Sequence, residues 1–104
     1  MELNIGLDSP NGKNTLQDRV RRQATALRIL AANLDYSQVR DSNTEPTLVV
    51  KTYVSVSEAV LYDIAVACEQ DCVAAYNPDT GSGQLVGPKA AEWGEFNPDY
   101  FIRP

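Results

Sequence analysis

The sequence has no histidine, two cysteines and a single tryptophan among its 104 residues. Without histidine it lacks the side chain whose proton affinity best suits acid–base catalysis near neutral pH. Two thiols fall short of the roughly four ligands of a structural zinc site. Cys68 and Cys72 stand at C-x3-C, one residue longer than the C-x-x-C redox spacing. They are expected as small apolar fillers, Cys68 on the buried side of a helix and Cys72 in the next strand. A disulfide or a metal site shared between chains is the other reading. No apolar run approaches the roughly 18 residues of a membrane span, and no signal-peptide pattern opens the chain. The expectation is a cytoplasmic protein with no membrane association, no metal and no cofactor.

Basic residues are scarce as well, and unevenly so. Residues 1–44 are nearly balanced at net +1, whereas residues 45–104 carry net −6, giving −5 for the chain. An acidic surface repels phosphate, so direct nucleic-acid binding is disfavoured. The same charge suits a basic partner, including a protein that itself grips nucleic acid; plain solvation is the bland reading. Hydrophobic residues at 43% and charged residues at 22% fit one globular domain over residues 1–104 with a modest core.

What is present is clear patterning. Leu3, Ile5 and Leu7 alternate along ELNIGLD, as in a half-buried strand. SPNGK turns the chain. A helix is expected over residues 15–34, capped by Asn14 or Thr15 with Gln17 or Asp18 completing a capping box. Leu16, Val20, Ala24, Leu27, Ala31 and Leu34 would form its inner stripe, leaving Arg21, Arg22 and Arg28 in water. YSQVRDS (36–42) and TLVVKTYVSV (47–56) read as strands, the second with Leu48, Val50 and Val54 on one face and Val49, Lys51 and Tyr53 on the other. SEAVLYDIAVACEQ reads as a helix opened by Ser55 or Ser57, with Leu61, Ile64, Ala65 and Cys68 inward. DCVAAYN and QLVG are a strand and its short partner.

The order β-α-β-β-α-β is the split βαβ arrangement of the ferredoxin-like fold, here with an extra C-terminal hairpin strand. Two helices on one face of an antiparallel sheet make an α+β two-layer sandwich. Residues 88–104 form a tail with Trp93, Phe96, Tyr100 and Phe101 close together, packed on the sheet over Tyr53 and Tyr76 or presented at an interface.

The GSG between those last two strands does not match a phosphate cradle. A P-loop requires G-x-x-x-x-G-K-[ST] before a helix, and a dinucleotide loop requires G-x-G-x-x-G between strand and helix. Asn77, Pro78, Asp79, Gly81 and Gly83 read instead as hairpin-turn residues, with glycine supplying positive φ. The carboxylate pairs Glu69 with Asp71 and Glu92 with Glu95 read as solvated, and a domain this small is expected to offer little cleft. No catalytic residues are assigned, and an enzyme is not expected. The third strand lacks the aromatic, basic and glycine-rich pattern of RNA-binding RRM sheets.

At "TEPTLVV" (44–50) and "QDCVAAY…GQLVGPKAAEWGEFNPDYF" (70–101) the chain resembles small accessory proteins of phages and prophages. The resemblance spans most of the chain and implies a phage-type setting, in which proteins of this size and acidity act against host defences, anti-CRISPR proteins among them. It implies a non-enzymatic inhibitor that occludes a surface of a host defence protein or complex. On the residues, the partner-binding set would be Glu92, Trp93, Glu95, Phe96, Asp99 and Tyr100. The alternative is a nucleotide or signalling-metabolite sponge, with Arg21, Arg22, Arg28 and Lys51 holding phosphates between subunits of a homodimer or larger oligomer. A virion or assembly component is the second alternative.

Overall fold

Alternation along ELNIG builds β1 (Glu2–Gly6), with Leu3 and Ile5 in the core. The computed structural model describes residues 1–10, 12–31, 34–42, 45–52 and 55–101. After β1 come α1 (Leu16–Leu30), β2 (Leu34–Ser42), β3 (Glu45–Thr52), α2 (Glu58–Ala67), β4 (Val73–Tyr76) and β5 (Gly83–Val86). Two short helical turns follow, α3 (Ala90–Trp93) and α4 (Pro98–Phe101). The strands form one antiparallel sheet in the order β2-β3-β1-β4-β5, an α+β architecture. Among the described residues no helix is long and apolar enough to cross a membrane.

Register decides which side chains meet. Leu3 stands opposite Val50 and Ala75, and Ile5 opposite Leu48. These residues, with Val73 and Val86, join Ala26 and Leu30 of α1 and Leu61, Ile64, Ala65 and Cys68 of the α2 region in one buried cluster. Both helices therefore cover the same face. α2 has the expected inner stripe, and Ser57 caps it by accepting from the Val60 amide at 3.3 Å.

α1 departs from expectation. Thr15 and Asp18 do form the capping box. The helix ends at Leu30, however, because Leu34 already pairs with Thr52 as the start of β2. Its buried stripe is Arg22, Ala26 and Leu30; Leu16 and Val20 are 75% and 57% exposed. The cause is Arg22, expected in water but fully buried. Its guanidinium donates to Leu7 O (2.7 Å), Asn14 Oδ1 (2.9 Å) and Lys13 O (2.8 Å). Charge-assisted bonds to loop carbonyls outweigh the burial of two aliphatic side chains, and the helix is rolled accordingly.

β4 and β5 form the expected hairpin. The Asn77 amide donates to Ser82 O, the Gly81 amide to Asn77 O, and the Asp79 amide to Asn77 Oδ1. Gly81 has the positive φ (76°) of the turn, whereas Gly83 lies in β5 opposite Tyr76. Its role is space: a Cβ there would stand 2.8 Å from the Phe96 ring.

Candidate functional site

The other face of the sheet carries Asn4, Thr47, Val49, Ala74 and Tyr76, all buried although neither long helix covers them. The Phe96 ring stacks on Tyr76 at 5.4 Å between centroids and 22° between planes. Pro98 lies beside the turn, where a Cβ built on Gly81 would stand 3.6 Å from it. Nearer the other end of β4, Asp71 anchors the start of the tail twice: its backbone oxygen accepts from the Lys89 amide at 2.9 Å, and Oδ2 accepts from the Trp93 indole at 3.2 Å. The C-terminal segment is thus laid over the sheet and fastened to the β4 region.

Beneath Trp93 the cover is incomplete. A cavity of about 320 Å³ opens there, contrary to the expectation of little cleft. Asn4, Ala74 and Leu85 are among its lining residues, and so are Thr47, Cys72, Asp71 and Trp93. The loop after β1 makes the opposite wall with Asp8, Ser9, Pro10 and Asn14. This loop is held from within. Asn14 Oδ1 accepts from the Ser9 amide (2.7 Å) as well as from Arg22, and Asn14 Nδ2 donates to Ser9 O. Asp8 receives a two-point ion pair from Arg19, at 2.6 and 3.2 Å. Gln70 closes the corner by donating from Nε2 to Asp8 O and Cys68 O, its amide filling the space a side chain on Gly6 would take.

The side-chain amide of Asn4 stands apart. Its Nδ2 is buried with no hydrogen-bond partner, in a residue only 8% exposed that lines the cavity. Sequence reasoning missed Asn4, because a polar residue alternating with Leu3 and Ile5 reads as solvent-facing. Only the sheet order, with strands on both sides of β1, places it at the centre.

Both cysteines are free thiols. Burial pushes the Cys68 thiol up to about 11, against the pull of Arg22 and Arg21. Burial, aided by neighbouring Asp71, pushes Cys72 up to about 11 as well. A thiol so disposed stays protonated at neutral pH and is a poor nucleophile. Cys72 lies just before β4, half-buried, and lines the cavity rather than filling the core. Among the described residues there is no cluster of three metal-binding side chains.

The expected partner-binding residues are brought onto one segment. Glu92, Glu95 and Asp99 are exposed, Trp93 is 56% exposed, and Phe96 is half-buried on Tyr76. Tyr100 lies in α4, its side chain outside the described part of the structure, as are Tyr53 and Val54 altogether. The cations of the alternative set are not gathered within the chain. Arg22 is internal, and Arg21 donates to Glu69 at 2.6 Å. Arg28 is exposed on α1, and Lys51 pairs in register with Glu2 on the face away from the helices. Comparison with protein-family models, with curated proteins and with solved structures finds no match for the chain.

Proposed function

We propose that the chain is a non-catalytic binding protein of ferredoxin-like type that grasps a basic protein surface through its acidic, aromatic C-terminal cap. The order β2-β3-β1-β4, extended by β5, and two helices sharing one face support the ferredoxin-like part. The observation that carries the functional part is the docked tail. Phe96 anchors it on Tyr76, and Trp93 remains largely in solvent among the carboxylates of Glu92, Glu95 and Asp99. Leaving so large a ring exposed costs hydrophobic free energy, and tryptophan is favoured at interface centres. The surrounding acids would steer a basic partner and reject polynucleotides. In a phage-type setting that partner is a host defence protein or complex that handles nucleic acid, and an anti-CRISPR-like inhibitor would occlude its groove.

The test is retention of bacterial lysate proteins on immobilised chain, followed by elution with polynucleotide. A basic nucleic-acid-binding protein should be held and then displaced. Glu92→Lys with Glu95→Lys should lower its retention by at least about tenfold at an unchanged melting temperature. Retention indifferent to that charge reversal, or no basic protein held at all, would overturn the reading.

A further inference from the structure

The outer flank of α1 carries an apolar stripe that the core does not use. Leu16, Val20, Ala24, Leu27 and Ala31 recur every three or four residues and occupy about 80° of the helix circumference. Their centre lies about 120° around the helix from Arg22, Ala26 and Leu30, which face the core. Leu16, Val20, Ala24 and Ala31 are exposed, and Leu27 is half-buried. A continuous stripe of this kind marks a contact surface, which single scattered apolar residues do not.

The contacts of α1 show which way the stripe looks. Arg21 bonds Glu69, and Arg22 O accepts from the Cys68 thiol at 3.5 Å, so α2 lies along the opposite flank of α1. α2 packs over β4 and β5. α1 therefore holds the half of the face toward β3 and β2, and its stripe looks outward on the β2 side. Among the described residues β2 pairs with β3 alone, so its outer backbone groups form an open edge. That edge is nine residues long, against four at β5, and an open edge is a template for another strand.

We propose that α1 and β2 together form a self-association surface, on which a second copy adds its β2 to β2 and its α1 to α1 about a two-fold axis normal to the sheet. A partner for this side must offer a strand edge and an apolar helix flank at matching separation, and the chain itself offers both. The axis makes both pairings antiparallel at once. The register of β2 is regular from Tyr36 to Ser42. Centred on Val39, that stretch pairs with itself over its whole length, with Arg40 opposite Gln38 and Asp41 opposite Ser37, so no charge meets its like. A wall about 30 Å long and about 20 Å deep would bury roughly 600 Å² per copy. The total of about 1,200 Å² is at the lower end of specific interfaces. The acidic cap lies on the other face of the sheet, so both surfaces can be occupied together.

Sedimentation equilibrium of the whole chain at about 100 µM should give twice the mass of one copy. Each copy carries −5, so association should tighten with added salt, whereas capture of a basic partner by the cap should weaken. Leu16→Glu with Val20→Glu should give a monomer; both positions are exposed, so the helix content should be unchanged. If that variant does not fold, Ala24→Glu should do the same from the middle of the stripe. Alternate amides of residues 36–42 should exchange at least about tenfold more slowly in the dimer than in the monomeric variant. The proposal is overturned if the wild type is monomeric at that concentration, if the dimer survives these substitutions, or if the β2 amides exchange equally fast in both states.

Discussion

The two faces of the sheet are built on different principles. The helix face is aliphatic and closed: Leu3, Ile5, Leu48 and Val50 meet Ile64, Leu61 and Leu30 with no exposure above 1%. The other face is covered by a short segment that touches down at Phe96 and around Asp71, and it keeps a cavity and an exposed tryptophan. Dense aliphatic packing yields stability with nothing for a partner to hold. A sparse aromatic cover yields less stability but leaves groups available for recognition. On the proposed reading, the fold separates the two tasks by a single layer of strands.

Substitutions can break this contrast or sharpen it. The largest loss should follow Ile64→Ala on the helix face, about 3 kcal/mol in urea unfolding, because a fully buried side chain leaves a cavity that α2 cannot close. Arg22→Met should cost about 2–3 kcal/mol, since it strips two carbonyls and Asn14 of a charged donor. A neutral or stabilising result there would mean that α1 can roll to bury Leu16 and Val20 instead. On the other face Phe96→Ala should cost about 1–2 kcal/mol, by loss of the Tyr76 stack. Trp93→Ala should stay within about 0.5 kcal/mol of wild type. If Trp93 proves the costlier of the two, the ring belongs to the structure rather than to recognition.

A further effect is confined to alkaline solution. Folded thiols at about 11 hold their protons where unfolded ones, near 9, release them. Their contribution is therefore complete below pH 9 and is lost as the pH rises from 9 to 11. The unfolding midpoint should fall across that window, and less so in a Cys68→Ala, Cys72→Ala variant; equal falls would exclude the thiols as a cause.

The helix face was largely legible. The period-two residues of β1 and the stripe of α2 are apolar residues whose partners lie on elements of equally plain periodicity. α1 was misread because burial there is set by hydrogen bonding. Arg22 is drawn inward by carbonyls of residues 7 and 13, which no helical period records. The cavity was illegible for a related reason. Asn4, Gln70 and Asp71 become neighbours only when β4 pairs beside β1, and each reads alone as an ordinary surface polar residue. The tail's aromatics did announce that something must cover the open face. The landing place at Gly83, expected in the turn, depends on a contact with Phe96 across the hairpin.

The fastenings of the tail described above are made to the β4–β5 hairpin, at Tyr76, Gly81 and Gly83, and to Asp71 two residues before β4. None of these is made to α1 or α2. The last part of the chain therefore hangs from one hinge-post: loosening β4 would shed cap and cavity roof together, whereas fraying of α1 would leave both in place.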